Sequence, residues 1–287
     1  MNLLDILRAS PATLLVFAGL AGLIFGSFLN VVIHRLPIMM QRQWARDVAQ
    51  HEGRELPPSE PFNLMRPDSH CPHCQHRIRA WENIPLLSYI VLRGRCSHCQ
   101  APISLRYPLL ELAAAILALA VAWRFGASLQ TLALMGFFWT LLTLTAIDID
   151  HQLLPDVLTL PLLWVGLLLN LNGLFTPLPD AVLGAALGYS SLWSLYWVFK
   201  LLTGKDGMGF GDFKLFAAFG AWFGWASLPL IIFLAAIVGA VLGLAAIAVM
   251  GRQRQLPIPF GPYLCGAALV YVFWGDALMH WYLRGLA

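Results

Sequence analysis

Long apolar runs separated by short polar joints make up most of this chain, and one wide polar interval interrupts them near its start. The first run covers 12–33. After a polar interval at 37–107, seven more follow at about 108–123, 129–147, 156–175, 180–202, 212–226, 228–250 and 262–283. A helix needs ~20 residues to cross a bilayer core of ~30 Å, and a barrel strand only ~10. The pattern therefore predicts an all-α polytopic membrane protein of about eight transmembrane helices. It divides into a first helix at 1–36, a polar domain at 37–107 and a seven-helix membrane domain at 108–287. The run from Asp212 is short for a full crossing and suits a tilted or re-entrant helix. Pro161 predicts a bend in the fourth helix, where neighbouring helices can satisfy the freed carbonyl. The run at 12–33 is too long for a secretory h-region, lacks a basic n-region and has no small-residue cleavage site before His34-Arg35.

Composition agrees. Of 287 residues 59% are hydrophobic and 11% charged, with mean hydropathy +0.70; a soluble domain carries about 25% charged residues. The net charge of +3 says little in total. Its placement says more. With loops alternating between sides, one face holds ten Arg within 35–107, then Lys200, Lys205, Lys214, Arg252 and Arg254. The other holds Arg8, Arg124 and Arg284. Lys and Arg concentrate on the cytoplasmic side, so the polar domain is expected there. The same alternation puts Asp148 and Asp212 on that face. Nothing in the chain suggests a nucleic-acid partner.

Four of the five cysteines form an internal repeat. Cys71-Pro72-His73-Cys74-Gln75 and Cys96-Ser97-His98-Cys99-Gln100 recur at an offset of 25, each followed by an Ile, Ile78 and Ile103. Two loops that each offer a pair of thiolates build the tetrahedral four-sulfur site that zinc favours. A reducing cytoplasm argues against disulfides. His73 and His98 are further possible ligands, although four cysteines already fill the shell. Such a closed, zinc-ribbon-like site staples a small loop-rich domain. Cys265, in an apolar run, suits a small packed side chain.

Two carboxylates sit where hydrocarbon makes them costly. Ala146-Ile147-Asp148-Ile149-Asp150-His151 closes one apolar run, and Gly207-Met208-Gly209-Phe210-Gly211-Asp212-Phe213-Lys214 opens another. Asp148 and Asp150 point to nearly opposite sides of a helix, so only one can face a shared site. Asp148 and Asp212 on one face make a candidate aspartic dyad, in which two close carboxyls share a proton. Gly207, Gly209 and Gly211 would let an extended substrate lie against the loop. Blander roles fit the other polar residues. Asp156 suits a helix N-cap, Asp206 a solvated loop position, Glu111 a buried hydrogen bond and His151 the membrane interface. Asn30 needs a partner inside the bundle. Gly26 and Ser27 suit close helix packing. Lys214 is a candidate orienting charge.

Across almost its full length the chain resembles the bacterial type IV prepilin leader peptidase/N-methyltransferase family of GxGD aspartic proteases. The resemblance rests on Gly26-Ser27-Phe28-Leu29-Asn30-Val31 with His34-Arg35-Leu36-Pro37, the paired CxxC module, Trp81-Glu82-Asn83-Ile84-Pro85 and Arg106-Tyr107-Pro108. It continues through Asp148-Ile149-Asp150-His151-Gln152-Leu153-Leu154-Pro155-Asp156, Gly207 to Lys214, and Pro257-Ile258-Pro259-Phe260-Gly261-Pro262. It implies cleavage of the basic leader from type IV prepilins and type II secretion pseudopilins at the cytoplasmic face of the inner membrane, with Asp148 and Asp212 catalytic. It also implies methylation of the new N-terminal amine with S-adenosylmethionine, zinc at Cys71, Cys74, Cys96 and Cys99, and a link between Gly94 and methylation. No Rossmann-type methyltransferase pattern is visible in the residues themselves. Three alternatives stand beside this reading: a peptidase without methylation, an ion-coupled transporter using intramembrane carboxylates, and a scaffold whose zinc module docks another protein.

Overall fold

The computed structural model describes residues 3–54, 61–250 and 259–284. Arg252, Arg254, Pro257 and Ile258 lie outside the described residues, as do Pro57 and Pro58 of the polar interval. The helices are α1 (Leu3–Ala9), α2 (Pro11–His51), α3 (Leu87–Val91), α4 (Arg106–Phe125), α5 (Leu129–His151), α6 (Asp156–Leu169), α7 (Leu178–Thr203), α8 (Phe210–Phe223), α9 (Leu228–Met250) and α10 (Gly261–Arg284). Each of the eight apolar runs is a helix, and the protein is a polytopic helical membrane protein. Six of these helices are long and apolar enough to cross a bilayer. The other two, α6 and α8, have 14 residues each, or about 21 Å at 1.5 Å per residue. They fall short of the ~30 Å core.

The first helix runs further than its apolar stretch. It continues through Pro37 to His51, 41 residues in all, or about 60 Å. Roughly half therefore stands beyond the hydrocarbon. The residues after Pro37 are strong helix formers (Met, Gln, Arg and Ala), so helix continues after the one lost hydrogen bond. Its start is capped by Ser10, whose Oγ accepts the Thr13 N–H at 3.3 Å, with Pro11 in the first turn, where its missing N–H costs nothing.

The chain forms two compact units, Met1–Thr143 and Leu144–Ala287. In the first, small residues set the approach of α2 to α4. A methyl group on Gly22 would lie 2.5 Å from the Ala115 Cα, and one on Gly26 would lie 2.7 Å from the Glu111 Cα. Asn30 finds its bundle partners there, donating from Nδ2 to the Gly26 and Tyr107 carbonyls at 3.3 and 3.2 Å. Glu111 is buried and accepts the Leu86 N–H at 2.9 Å. Trp139, from the first part of α5, stacks on Phe25 and donates to the Ala114 carbonyl at 3.1 Å.

In the second unit α8 is almost wholly buried, with Phe213, Phe216, Phe219 and Trp222 in the core. It crosses α7 backbone to backbone at Gly184 and Gly220; a methyl on Gly184 would lie 2.5 Å from the Gly220 carbonyl oxygen. Buried Asn170 fastens the other end. Its Nδ2 donates to the Ala221 and Trp222 carbonyls, both at 2.9 Å, and its Oδ1 accepts the Phe175 and Thr176 N–H groups. The Trp222 indole reaches the Leu162 carbonyl at 2.8 Å, next to Pro161 inside α6. The short α8 is thus held by side-chain hydrogen bonds that hydrocarbon cannot replace.

Gly184→Val is expected to force α7 from α8 and to cost about 1–3 kcal/mol of stability, the usual cost of overpacking. The readout is the thermal unfolding midpoint in detergent. Gly136→Ala, whose added methyl would meet nothing within 4 Å, serves as the neutral control.

Candidate active site and metal centre

Asp148 lies in the last turn of α5 and Asp212 in the first turn of α8. Both are nearly out of water, at 5% and 7% exposure. The structure brings them within Coulombic reach of one another. Asp150 is exposed, as the helical spacing requires. Helix ends explain why two acids settle here. The unpaired N–H groups and the dipole of the α8 N-terminus favour negative charge at Asp212, and α5 delivers Asp148 just before its chain turns at Gln152, where φ is 52°.

Asp148 Oδ2 accepts the backbone N–H of Gly261, the first residue of α10, at 3.1 Å. A methyl on Gly261 would lie 2.6 Å from that same oxygen and 3.1 Å from Leu154 Cδ2. Leu154 also faces Gly211, where a methyl would come within 2.7 Å of the Leu154 Cβ. The end of α5, the start of α8 and the start of α10 therefore converge on the pair. Asp212 Oδ1 is buried and has no hydrogen-bond partner among the described residues.

The three loop glycines divide their duties. Gly207 lies against Phe199, whose ring an added methyl would meet at 2.7 Å, and Gly211 lies against Leu154. Both are spoken for by packing. Gly209 is the N-cap of α8, and its open side faces Asp212 Oδ2 at 3.6 Å. The expectation that all three glycines border a substrate strand is thus narrowed to Gly209.

Two ion pairs frame these loops. Lys214 Nζ binds both carboxylate oxygens of Asp156, at 2.7 and 2.6 Å, tying α8 to the start of α6. Asp156 is the first residue of α6; Pro155 takes the N-cap position in which Asp156 was expected. Asp206 is more than a solvated loop acid. Lys200 pairs with it at 2.8 Å and the Tyr196 hydroxyl donates to it at 2.6 Å. The Lys200 ammonium beside it, helped by that hydroxyl, holds its carboxyl below the usual range. Neither pair was assigned from sequence. Their one signal is the presence of opposite charges beside the Leu-Pro-Asp and Gly-x-Gly-Asp turns.

Among the described residues Cys71, Cys74, Cys96 and Cys99 form the only group of sulfur, imidazole and carboxylate atoms that can hold a metal ion. All four sulfurs lie within 4.8 Å of one another, with Cys71 to Cys99 at 3.8 Å and Cys74 to Cys96 at 4.0 Å. A tetrahedral zinc with Zn–S bonds near 2.3 Å requires about 3.8 Å between sulfurs, so the donor set and spacing fit zinc. The sequence repeat is also a structural one. In each loop the residue after the second cysteine, Gln75 or Gln100, has φ 59°. The N–H of the first cysteine returns to the carbonyl of His76 or Ala101 at 2.9 Å. Backbone N–H groups of Cys74 and His73 pull the Cys71 thiol down to about 6, while burial and the neighbouring sulfurs push Cys74 up; metal binds the thiolate form. His98 stacks instead on His76. Gly94 has φ 67°, and a methyl there would lie 2.8 Å from the Tyr89 hydroxyl, so its conformation and its neighbour both require glycine.

Comparison with known proteins bears on both sites. Residues 20–125 match the Bacterial Peptidase A24 N-terminal domain, and residues 135–244 match the Type IV leader peptidase family. A prepilin leader peptidase/N-methyltransferase of Stutzerimonas stutzeri is 54% identical over 290 residues, covering 99% of each chain. One of Pseudomonas aeruginosa is 52% identical over 285 residues, covering 99% of this chain and 98% of its own, and one of Aeromonas hydrophila is 54% identical over 286, covering 98% of each. The chain belongs to the type IV leader peptidase family. No solved structure matches it. The first matched region of the family spans the cysteine cluster, and the second spans Asp148 and Asp212. Gly261, whose amide meets Asp148, lies past the second region; its signal in the chain is the Pro-Phe-Gly-Pro turn.

Gly261→Ala is expected to push Asp148 from its place and to lower proteolytic turnover by roughly 100-fold, the scale of a 1 Å misplacement. Turnover against thermal midpoint separates this from unfolding: the midpoint stays near that of the parent.

Proposed function

We propose that this protein cleaves the leader peptide from type IV prepilins and N-methylates the residue so exposed. The observation that carries the reading is the buried pair Asp148 and Asp212, in Coulombic reach, with one Asp212 oxygen bare among the described residues. In this reading the two carboxyls share one proton, as neighbouring acids that cannot both ionise easily do. In peptide hydrolysis one member of the pair takes a proton from the attacking water, and the other gives its proton to the scissile carbonyl oxygen. The tetrahedral intermediate then collapses as the leaving amine is protonated. The Gly261 amide holds Asp148 in place for this, and Gly209 leaves the backbone open beside Asp212.

The substrate range extends in this proposal to the pseudopilins of type II secretion. Their signal is a basic leader joined to an apolar helix. Such a helix already lies in the bilayer, so the enzyme meets its junction with the leader at a membrane face. The excess of Lys and Arg in the loops on the side of the cysteines supports a cytoplasmic position for that face, and the reading takes the membrane to be the bacterial inner membrane.

Residues 37–107 are assigned to methylation and 108–287 to peptide cleavage. Cys71, Cys74, Cys96 and Cys99 hold zinc, which cross-links the two cysteine loops and leaves no open coordination position. S-adenosylmethionine, when bound, supplies the methyl group. Among the described residues the fold is helical, with two isolated bridges, and offers no Rossmann crevice. Only Gly94 is assigned to methylation, by resemblance. Its left-handed backbone beside Tyr89 suggests that it acts by shaping the turn between α3 and the second cysteine loop.

Mass spectrometry of a prepilin incubated with the purified protein tests the reading. The leader mass is lost with the parent protein, and a methyl increment appears only with S-adenosylmethionine. Asp148→Asn and Asp212→Asn each lower cleavage by about 10²- to 10⁴-fold, the range for a lost general acid or base. Undiminished cleavage by either variant overturns the dyad.

A paired Cys71→Ser, Cys74→Ser change removes two of four thiolates. It should abolish bound zinc, measured by elemental analysis, and reduce methylation at least as much as cleavage. Full methylation by metal-free protein refutes the structural role of zinc.

A further inference from the structure

The polar domain carries an apolar segment that neither proposed activity uses. From the turn Ala80–Asn83 through α3, the side chains of Trp81, Ile84, Leu87, Ile90 and Val91 are exposed, Ile90 at 70% and Val91 at 63%. A water-facing loop domain of this size has little reason to display five large apolar groups within eleven residues. Arginines flank the segment in the chain, Arg79 before it and Arg93 and Arg95 after it, all exposed.

The segment's depth is fixed by its attachment. Leu86, the residue before α3, donates its N–H to Glu111 Oε2 at 2.9 Å. Glu111 lies five residues inside the membrane helix α4, about 7.5 Å along its axis. The bond is built rather than incidental. Leu86 adopts φ 57° to make it, a backbone cost for a non-glycine residue, and the acceptor is a buried carboxyl side chain. Leu109 and Leu112, the exposed residues of α4 on either side of Glu111, lie at the same level. An apolar turn held at that depth and bordered by arginines has the composition of an interfacial anchor: apolar groups 5–10 Å below the headgroups, cations at the headgroups.

We propose that residues 81–91 are a membrane-inserted foot of the cysteine domain, with Arg79, Arg93 and Arg95 taking the phosphates of anionic lipid. The foot binds the domain to the bilayer surface independently of α2 and α4, at the height where a membrane-borne substrate emerges. That last consequence rests on the prepilin reading; the insertion itself does not.

The test uses the full-length protein in nanodiscs of phosphatidylcholine, with or without phosphatidylglycerol. A nitroxide is placed at Ile90→Cys or Val91→Cys, with Leu109→Cys as the lipid reference and Gln50→Cys on the polar end of α2 as the aqueous one. The unsubstituted protein, labelled identically, gives the background from native thiols, and an unchanged thermal midpoint shows each variant folded. Collision with oxygen relative to a water-soluble nickel chelate is expected to be severalfold higher at 90 and 91 than at 50, close to the value at 109, and higher again with phosphatidylglycerol. Nickel access at 90 and 91 equal to that at 50 places the segment in water and overturns the proposal. Low access to both reagents that changes only on adding a prepilin makes it a protein-docking face and overturns it equally. A ratio indifferent to phosphatidylglycerol overturns the anionic-lipid assignment.

Discussion

Two carboxyl groups out of water and within Coulombic reach of one another are the constraint around which the second unit is arranged. Burial of an acid costs several kcal/mol unless hydrogen bonds or opposite charge offset it, and among the described residues no ion pair joins a cation to Asp148 or Asp212. Lys214 is turned to Asp156 and Lys200 to Asp206. What holds the acids is backbone: the Gly261 amide on Asp148 and the first turn of α8 at Asp212. Backbone donors leave the pair's mutual repulsion in place. A salt bridge to either member would have relieved the cost and removed the shared proton on which the proposed acid–base chemistry rests.

That choice explains the shape of α8. A helix of 14 residues cannot reach across a bilayer core, so its ends lie at protein-enclosed levels. Its N-terminus is thereby available to an acid. Its C-terminus must be closed by others, and Asn170 satisfies the Ala221 and Trp222 carbonyls. Gly184 and Gly220 let α7 run against it with no side chain between. The site is as rigid as these contacts make it, and all of them lie away from the acids.

Much of this was legible in the chain because it was written in spacing. The apolar runs marked eight of the ten described helices, the offset of 25 marked a repeat that returns in the backbone at Gln75 and Gln100, and the spacing of Asp148 and Asp150 showed that only one acid faces inward. The hidden features were long-range pairings with no local periodicity. Nothing near Asp148 announces an amide from residue 261, and nothing near Lys214 singles out Asp156 among the acids. Helix length was misjudged at Pro37 for a related reason. Loss of apolar character marks the edge of a membrane, whereas loss of helix propensity marks the edge of a helix, and at 38–51 only the first occurs.

The glycine-rich turn shows how one motif carries both kinds of information. Read alone, Gly207, Gly209 and Gly211 are interchangeable points of backbone freedom. In the fold Phe199 occupies the space of the first and Leu154 that of the third, so these two glycines are small because neighbours are large. Gly209 is small because nothing is placed there: its open side meets Asp212. Substitution at 207 or 211 acts through packing and moves the acid indirectly, whereas a side chain at 209 enters the space in front of it. The motif is therefore one open position between two of packing, and the aspartate that ends it takes its place from the packed pair.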